Sequence, residues 1–199
     1  MNTLSYGILG ILANESLSGY DLMLKMNLFW HTRHSHIYPL LAKLEEEGYV
    51  KFILVKQCSK PDKKVYTLTE IGIEAVKEWL HKATNDPINK DEMLLKTYCI
   101  HILDEDSAKN LIKEREEMYH NKFLIYEKKI NDFKEQCGGV LKDIDSTYFG
   151  RFIILNKILG DAKWGIEWCQ WIYSLYDNGN NINIFEQNPF LLYENNSLF

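Results

Sequence analysis

Between His31 and Val50 the apolar residues Ile37, Leu40, Leu41 and Leu44 recur at three-and-four spacing, the period of a helix with one buried face. His36, Pro39 and Lys43 then fall on the outward face. Gly48, just past the last periodic residue, takes the conformation that ends a helix, and Tyr49-Val50 opens an extended run. Thr32 and Ser35 both qualify as caps, and Pro39, which lacks an amide hydrogen and fits best near the first turn, favours a start near Ser35. Upstream, Leu4, Ile8, Ile11 and Leu12 predict a helix over 4–13, residues 14–17 a turn, and Ser18 the cap of a second helix through Tyr20, Leu22, Leu24 and Met26. Downstream, residues 50–55 and 64–68 read as strands around the polar turn 59–63. Thr69 caps a helix over 70–82 with Val76, Trp79 and Leu80 on its apolar side. Three short helices followed by a hairpin make a winged helix-turn-helix.

The pattern changes at Thr84-Asn85-Asp86-Pro87, where proline forces extended backbone. This divides the chain into residues 1–84, a helical domain over 85–177 and a tail over 178–199. Residues 91–103 read as one helix and 107–137 as a longer one ended by Gly138-Gly139. In the longer helix Ile112, Tyr119, Tyr126 and Phe133 recur every seven residues, interleaved with Phe123, Ile130 and Cys137 and broken by Glu116. Such a repeat packs helix against helix, within a subunit or between subunits. The last helix, over 146–177, carries two apolar stripes. One holds Leu155, Leu159, Ala162, Ile166, Cys169 and Ile172, the other Trp164, Trp168, Trp171 and Leu175. One stripe covers the subunit's own helices, which leaves the tryptophans for a partner subunit or a small-molecule effector. The tail is rich in asparagine yet holds Ile184, Phe185, Phe190, Leu191 and Leu192, so docked and loose states both stay open. The fold class is mainly α with a small β-hairpin wing: an N-terminal winged helix-turn-helix plus a C-terminal antiparallel helical dimerisation domain.

At 199 residues and 46% hydrophobic composition the chain is expected to be globular. It shows no leader pattern and no apolar run long enough to span a bilayer, so a cytoplasmic protein without a membrane partner is expected. Its net charge of −5 opposes a nucleic-acid partner until the distribution is considered. Five cations, Lys51, Lys56, Lys60, Lys63 and Lys64, fall in a stretch whose only acid is Asp62. That local excess suits DNA contact with modest non-specific affinity. The cysteines, Cys58, Cys99, Cys137 and Cys169, are too far apart for a zinc site or a disulfide framework, and a redox role for Cys58 lacks a visible activating partner.

The helix end and outward face make Arg33, His34, Ser35, His36, Tyr38, Pro39 and Lys43 the DNA candidates, with Lys60 and Lys63 at the hairpin tip. His31, His34 and His36 lack acidic or thiolate partners at ligand spacing, so no metal is assigned. With no nucleophile elbow, phosphate-cradling glycine loop or ligand set, there is no catalytic residue, no cofactor and no enzyme. The run Ser35-x-Ile37-Tyr38-Pro39-Leu40-Leu41-x-Lys43-Leu44-Glu45-x-x-Gly48 resembles the central motif of PadR-type transcriptional regulators. The likeness extends to Ile8-Leu9-Gly10-Ile11-Leu12 and Ser18-Gly19-Tyr20-Asp21-Leu22 before it, and to the stretch from Lys64 to Gly72 after it. It implies a homodimeric repressor on operator double-stranded DNA, relieved by a small and often aromatic ligand, with Ser35, Tyr38, Pro39, Lys64 and Tyr66 in the interface. Relatives often carry arginine where this chain has Lys63, and lysine lacks arginine's bidentate fork, so phosphate contact is expected of the wing rather than base reading. The competing reading is a winged-helix dimer that serves as a protein-interaction module without reading DNA, which the acidic total charge permits.

Overall fold

Asn2 starts the fold by accepting the Ser5 N–H at 2.9 Å, which satisfies one of the unpaired amides at the head of α1 (Thr3–Leu12). The structure, a computed structural model, describes residues 1–56, 62–87, 90–139, 141–179, 183–184 and 186–190. The chain divides into two units, Met1–Ile88 and Asn89–Phe199.

In the first unit α1 is followed by β1 (Leu17–Ser18), α2 (Gly19–Met26), α3 (His34–Glu46), β2 (Val50–Val55), β3 (Lys63–Leu68) and α4 (Glu70–Leu80). Ser18 caps α2 and Thr69 caps α4, as their positions before apolar runs predict. Gly48, at φ 77°, ends α3. β2 and β3 pair antiparallel from Val50↔Leu68 to Val55↔Lys63. The predicted turn at 14–17 instead contributes a third strand: Leu17 pairs with Tyr66 and Ser18 with Val65, giving the sheet order β1-β3-β2. Two residues are too few to show an alternating pattern, so this strand is set by its partner alone. Ile8, Leu9, Leu12, Leu22, Met26, Ile37, Leu41, Leu44, Val50 and Tyr66 form the core, and each full-sized apolar side chain in it contributes about 1.5–3 kcal/mol.

α3 begins at His34, beside the expected start near Ser35. Two other expectations for this unit need correction. Arg33 holds the cap position without a side-chain cap bond, and Thr32 is buried at 3% exposure with its N–H donated to Asn27 Oδ1 at 2.7 Å. Asn27 thus fixes the entry to α3 where a serine or threonine cap was expected. Leu80 is 68% exposed, since α4 turns Tyr6-stacked Trp79 inward at a ring separation of 5.1 Å.

The second unit holds α5 (Glu92–Tyr98), a 3-10 turn (Ile100–Ile102), α6 (Glu105–Gln136) and α7 (Phe149–Asn178). The single helix expected over 91–103 breaks at Cys99, whose backbone leaves the helical region. α6 starts two residues before the expected Ser107, and Asp104 caps it by accepting the Ser107 N–H at 2.8 Å. α7 starts later than expected, after Tyr148. The long helices run antiparallel, as Lys109 to Asp177 (2.8 Å), Glu116 to Gln170 (2.8 Å) and Gln136 to Arg151 (3.2 Å) show. The seven-residue line follows this contact, with Ile112 and Phe133 buried and Tyr119 and Tyr126 half-buried. Gly138 and Gly139, both at positive φ, end α6.

Candidate nucleic-acid interface

Ile37, Leu41 and Leu44 are at most 1% exposed, so the inner face of α3 is fixed in the core and the helical period turns the opposite face outward. Arg33, His34, Ser35, His36, Tyr38, Pro39 and Lys43 are all exposed. The other three helices of the unit are capped by Asn2, Ser18 and Thr69, whereas no side chain bonds the head of α3. Its leading backbone amides, at the positive end of the helix dipole, are therefore not taken by a cap, an arrangement that accepts phosphate oxygens.

Beside that end stands an aromatic column. The His34 ring lies 5.8 Å from Tyr20 and 5.8 Å from Tyr38, near-parallel to both at 22° and 13°. Tyr20 and Tyr38 are 51% and 46% exposed, unusually open for such large rings. Sequence reasoning places Tyr20 within the second helix without a functional role; the structure turns it out beside α3. Gly19 lies beside this column: a Cβ there would come within 2.8 Å of Tyr38 Cε1, so a larger residue would displace the Tyr38 ring.

The wing strands reach the same face, but Lys63 and Lys64 of β3 are engaged within the unit. Lys63 Nζ lies 2.8 Å from Asp21 Oδ2, and Lys64 Nζ lies 3.8 Å from Glu45 and 3.7 Å from the Phe52 ring centre. The Lys63 hydrogen bond, joined by one from Ser18, holds the Asp21 carboxyl below its usual range. Lys60 and Cys58 lie outside the described residues. Tyr66 requires correction as a contact residue. It is 4% exposed within the core and tilted against Phe52, and burial raises its hydroxyl pKa. Tyr66 belongs to the same buried cluster as Ile37 and Leu41 of α3, so it supports that helix from within the core.

In the second unit Trp164 is 53% exposed and stacks on Trp168 at 6.3 Å and 14°. The predicted open tryptophan stripe is partly covered by the tail: Phe190 lies 5.6 Å from Trp164 and 5.8 Å from Trp171. Beneath them Met93, Ile112, Cys169 and Ile172 form the unit's core. Arg115 pairs with Asp91 and donates to the Tyr119 hydroxyl at 3.1 Å. Among the described residues no three His, Cys, Asp or Glu gather to hold a metal, and no helix is long and apolar enough to cross a membrane.

Comparison with known proteins decides the family. Residues 8–78 match the transcriptional regulator PadR-like family, and residues 89–177 match the virulence activator alpha C-terminal family. The negative transcriptional regulator PadR of Bacillus subtilis is 33% identical over 183 residues, covering 89% of this chain and 99% of that protein. The chain belongs to the PadR-like family of transcriptional regulators. Among solved PadR structures, that of the Bacillus subtilis protein in complex with operator DNA has a TM-score of 0.78 at 31% identity, covering 88% of this chain and 98% of the other. The same PadR in complex with p-coumaric acid has a TM-score of 0.71 at 30% identity, covering 88% and 99%.

Proposed function

We propose that the chain is a homodimeric repressor that reads operator DNA with α3 and the β2–β3 wing and leaves it when a small aromatic ligand binds the helical unit. The observation that carries this reading is the outward face of α3, where an uncapped helix head, Arg33, Ser35, His36, Lys43 and the Tyr20–His34–Tyr38 column share one exposed surface. Amides and cations at the helix head suit phosphate, while His36 and Tyr38, further along the helix, suit base edges in a major groove. The Bacillus subtilis relative, solved with operator DNA and with p-coumaric acid, supports both halves of the proposal.

Residues 1–84 are assigned the DNA-reading role, and 85–177 the roles of dimerisation and effector response. Leu95, Tyr98 and Ile102, 73–85% exposed, and Leu124, Ile125 and Ile153, 49–60% exposed, give the second unit the apolar surface that a second copy would cover. In such a dimer the two α3 helices would meet major-groove faces about 34 Å apart.

The experiment is a titration of fluorescent DNA from upstream of the chain's own gene at several salt concentrations, with and without p-coumaric acid. Specific binding that weakens with salt by a slope of about −0.9 per phosphate contact, and weakens again with the acid, supports the proposal. Binding with no preference over unrelated duplex would favour the interaction-module reading. Sedimentation at micromolar concentration should give a dimer, and a monomer would remove that part.

A further inference from the structure

Trp164, Trp168 and Trp171 follow one another at four- and three-residue steps and so line one strip of α7. Phe190 lies across this strip, inclined at 47° to Trp164 and edge-on at 86° to Trp171. Its approach is set locally. Asn188 Oδ1 accepts the Phe190 N–H at 2.9 Å, Pro189 restricts the backbone between them, and a turn in which Glu186 N–H donates to Asn183 O at 3.0 Å precedes them. The ring is thus presented to the tryptophans by short-range turns.

One group on this strip is left unsatisfied. Trp171 Nε1 is buried and has no acceptor among the described residues. A buried indole N–H normally finds a partner, and leaving it unpaired is destabilising. Phe190 offers a flat apolar ring of the right kind for the indoles but carries no acceptor atom. An aromatic molecule with a carbonyl, carboxylate or phenolic oxygen would supply both.

We propose that Trp164, Trp168 and Trp171 form a binding site for a planar aromatic ligand bearing a hydrogen-bond-accepting oxygen, and that Phe190 fills it as an intramolecular stand-in. The proposal rests on the ligand-relieved regulator read above and names the chemistry and the gatekeeper of its effector site. Because the ring is tethered to the helix it competes with, its effective concentration is high and a free ligand must displace it. Apparent ligand affinity is then reduced by the fraction of time the site is filled.

The test compares three full-length proteins, wild type, Phe190→Ala and Trp171→Phe, titrated with p-coumaric acid by calorimetry and by tryptophan fluorescence. Operator affinity without ligand is measured on each. Phe190→Ala should bind the acid about tenfold more tightly than wild type because the competitor is gone. Trp171→Phe keeps an aromatic ring, loses the N–H donor and should bind about tenfold more weakly. If Phe190→Ala binds no better than wild type, or Trp171→Phe binds equally well, the site is overturned; should the acid still release operator DNA, the effector reading survives with its site elsewhere. If no variant binds the acid while all bind operator specifically, the site and the effector reading fall together and the DNA reading stands.

Discussion

Lys63 of the wing and Asp21 of α2 form an ion pair of 2.8 Å across a sequence separation of 42 residues. The side chains are 37% and 36% exposed, so solvent screens the pair and a DNA phosphate can exchange for the carboxylate. Asp21→Asn should therefore free Lys63, remove a negative charge from the DNA face and strengthen operator binding by roughly two- to fivefold, the worth of at most about 1 kcal/mol. The companion change Lys63→Ala should weaken binding to all duplexes alike and reduce the salt slope by about 0.9. Weaker binding by Asp21→Asn would show instead that the pair braces the wing in its DNA-bound position. Fluorescence anisotropy against salt concentration reads both.

The same pair sets a pH dependence. Asp21 is held below its usual range by Lys63 first and Ser18 second, so its carboxylate keeps its charge to lower pH in the folded chain than in the unfolded one. Its contribution to stability is complete above the ordinary carboxylate pKa of about 4 and disappears as pH falls through the lowered folded value. Melting temperatures of wild type and Asp21→Asn, followed from neutral pH down to about pH 2, should accordingly converge in acid. A gap that is constant across this range would mean the carboxylate's charge plays no part in the difference.

Gly19 lies beneath the Tyr38 ring, and an added Cβ would stand 2.8 Å from Tyr38 Cε1 and 3.3 Å from Leu41 Cδ1. Gly19→Ala should push the ring from its column with His34 and cost about 1–3 kcal/mol of operator affinity, the scale of one lost base contact. Retention of wild-type operator affinity would show that the position of the Tyr38 ring is immaterial.

Exposure separates two tyrosines. Tyr38→Phe should change the ranking of operator variants, because its hydroxyl stands at the exposed face; Tyr66→Phe, at 4% exposure, should leave the ranking as it is. A panel of single-base operator changes reads the difference, and altered preference in Tyr66→Phe would contradict its place in the core.

Burial also orders the thiols. Cys169 is fully buried and its pKa is pushed up to about 11, chiefly by burial and then by Glu116, so almost no thiolate exists at neutral pH. Among the described cysteines, maleimide labelling followed by peptide mapping should modify exposed Cys99 first, half-buried Cys137 more slowly and Cys169 only in denaturant. Native labelling of Cys169 at the rate of Cys99 would show that the α6–α7 packing opens readily.

Ser18, Thr69 and Gly48 are legible in the chain because their work is local: a cap bond reaches three residues ahead, and a helix stop needs one residue at positive φ. The strand Val50–Val55 and the seven-residue line of α6 are legible for a related reason, since periodic burial repeats within a few residues. The sequence therefore determined the helix-turn-helix, the wing, the long helical pair and the outward face of α3. Tertiary structure alone decided which α2 residues join that face, because Tyr20 is placed there by stacking on His34 of another helix. It alone decided that Tyr66 is core, that Leu17–Ser18 is a strand, that Lys63 meets Asp21 and that Phe190 meets Trp171. Each of these joins segments remote in the chain through one or two contacts of small energy, and such contacts leave no periodic trace in the sequence that makes them.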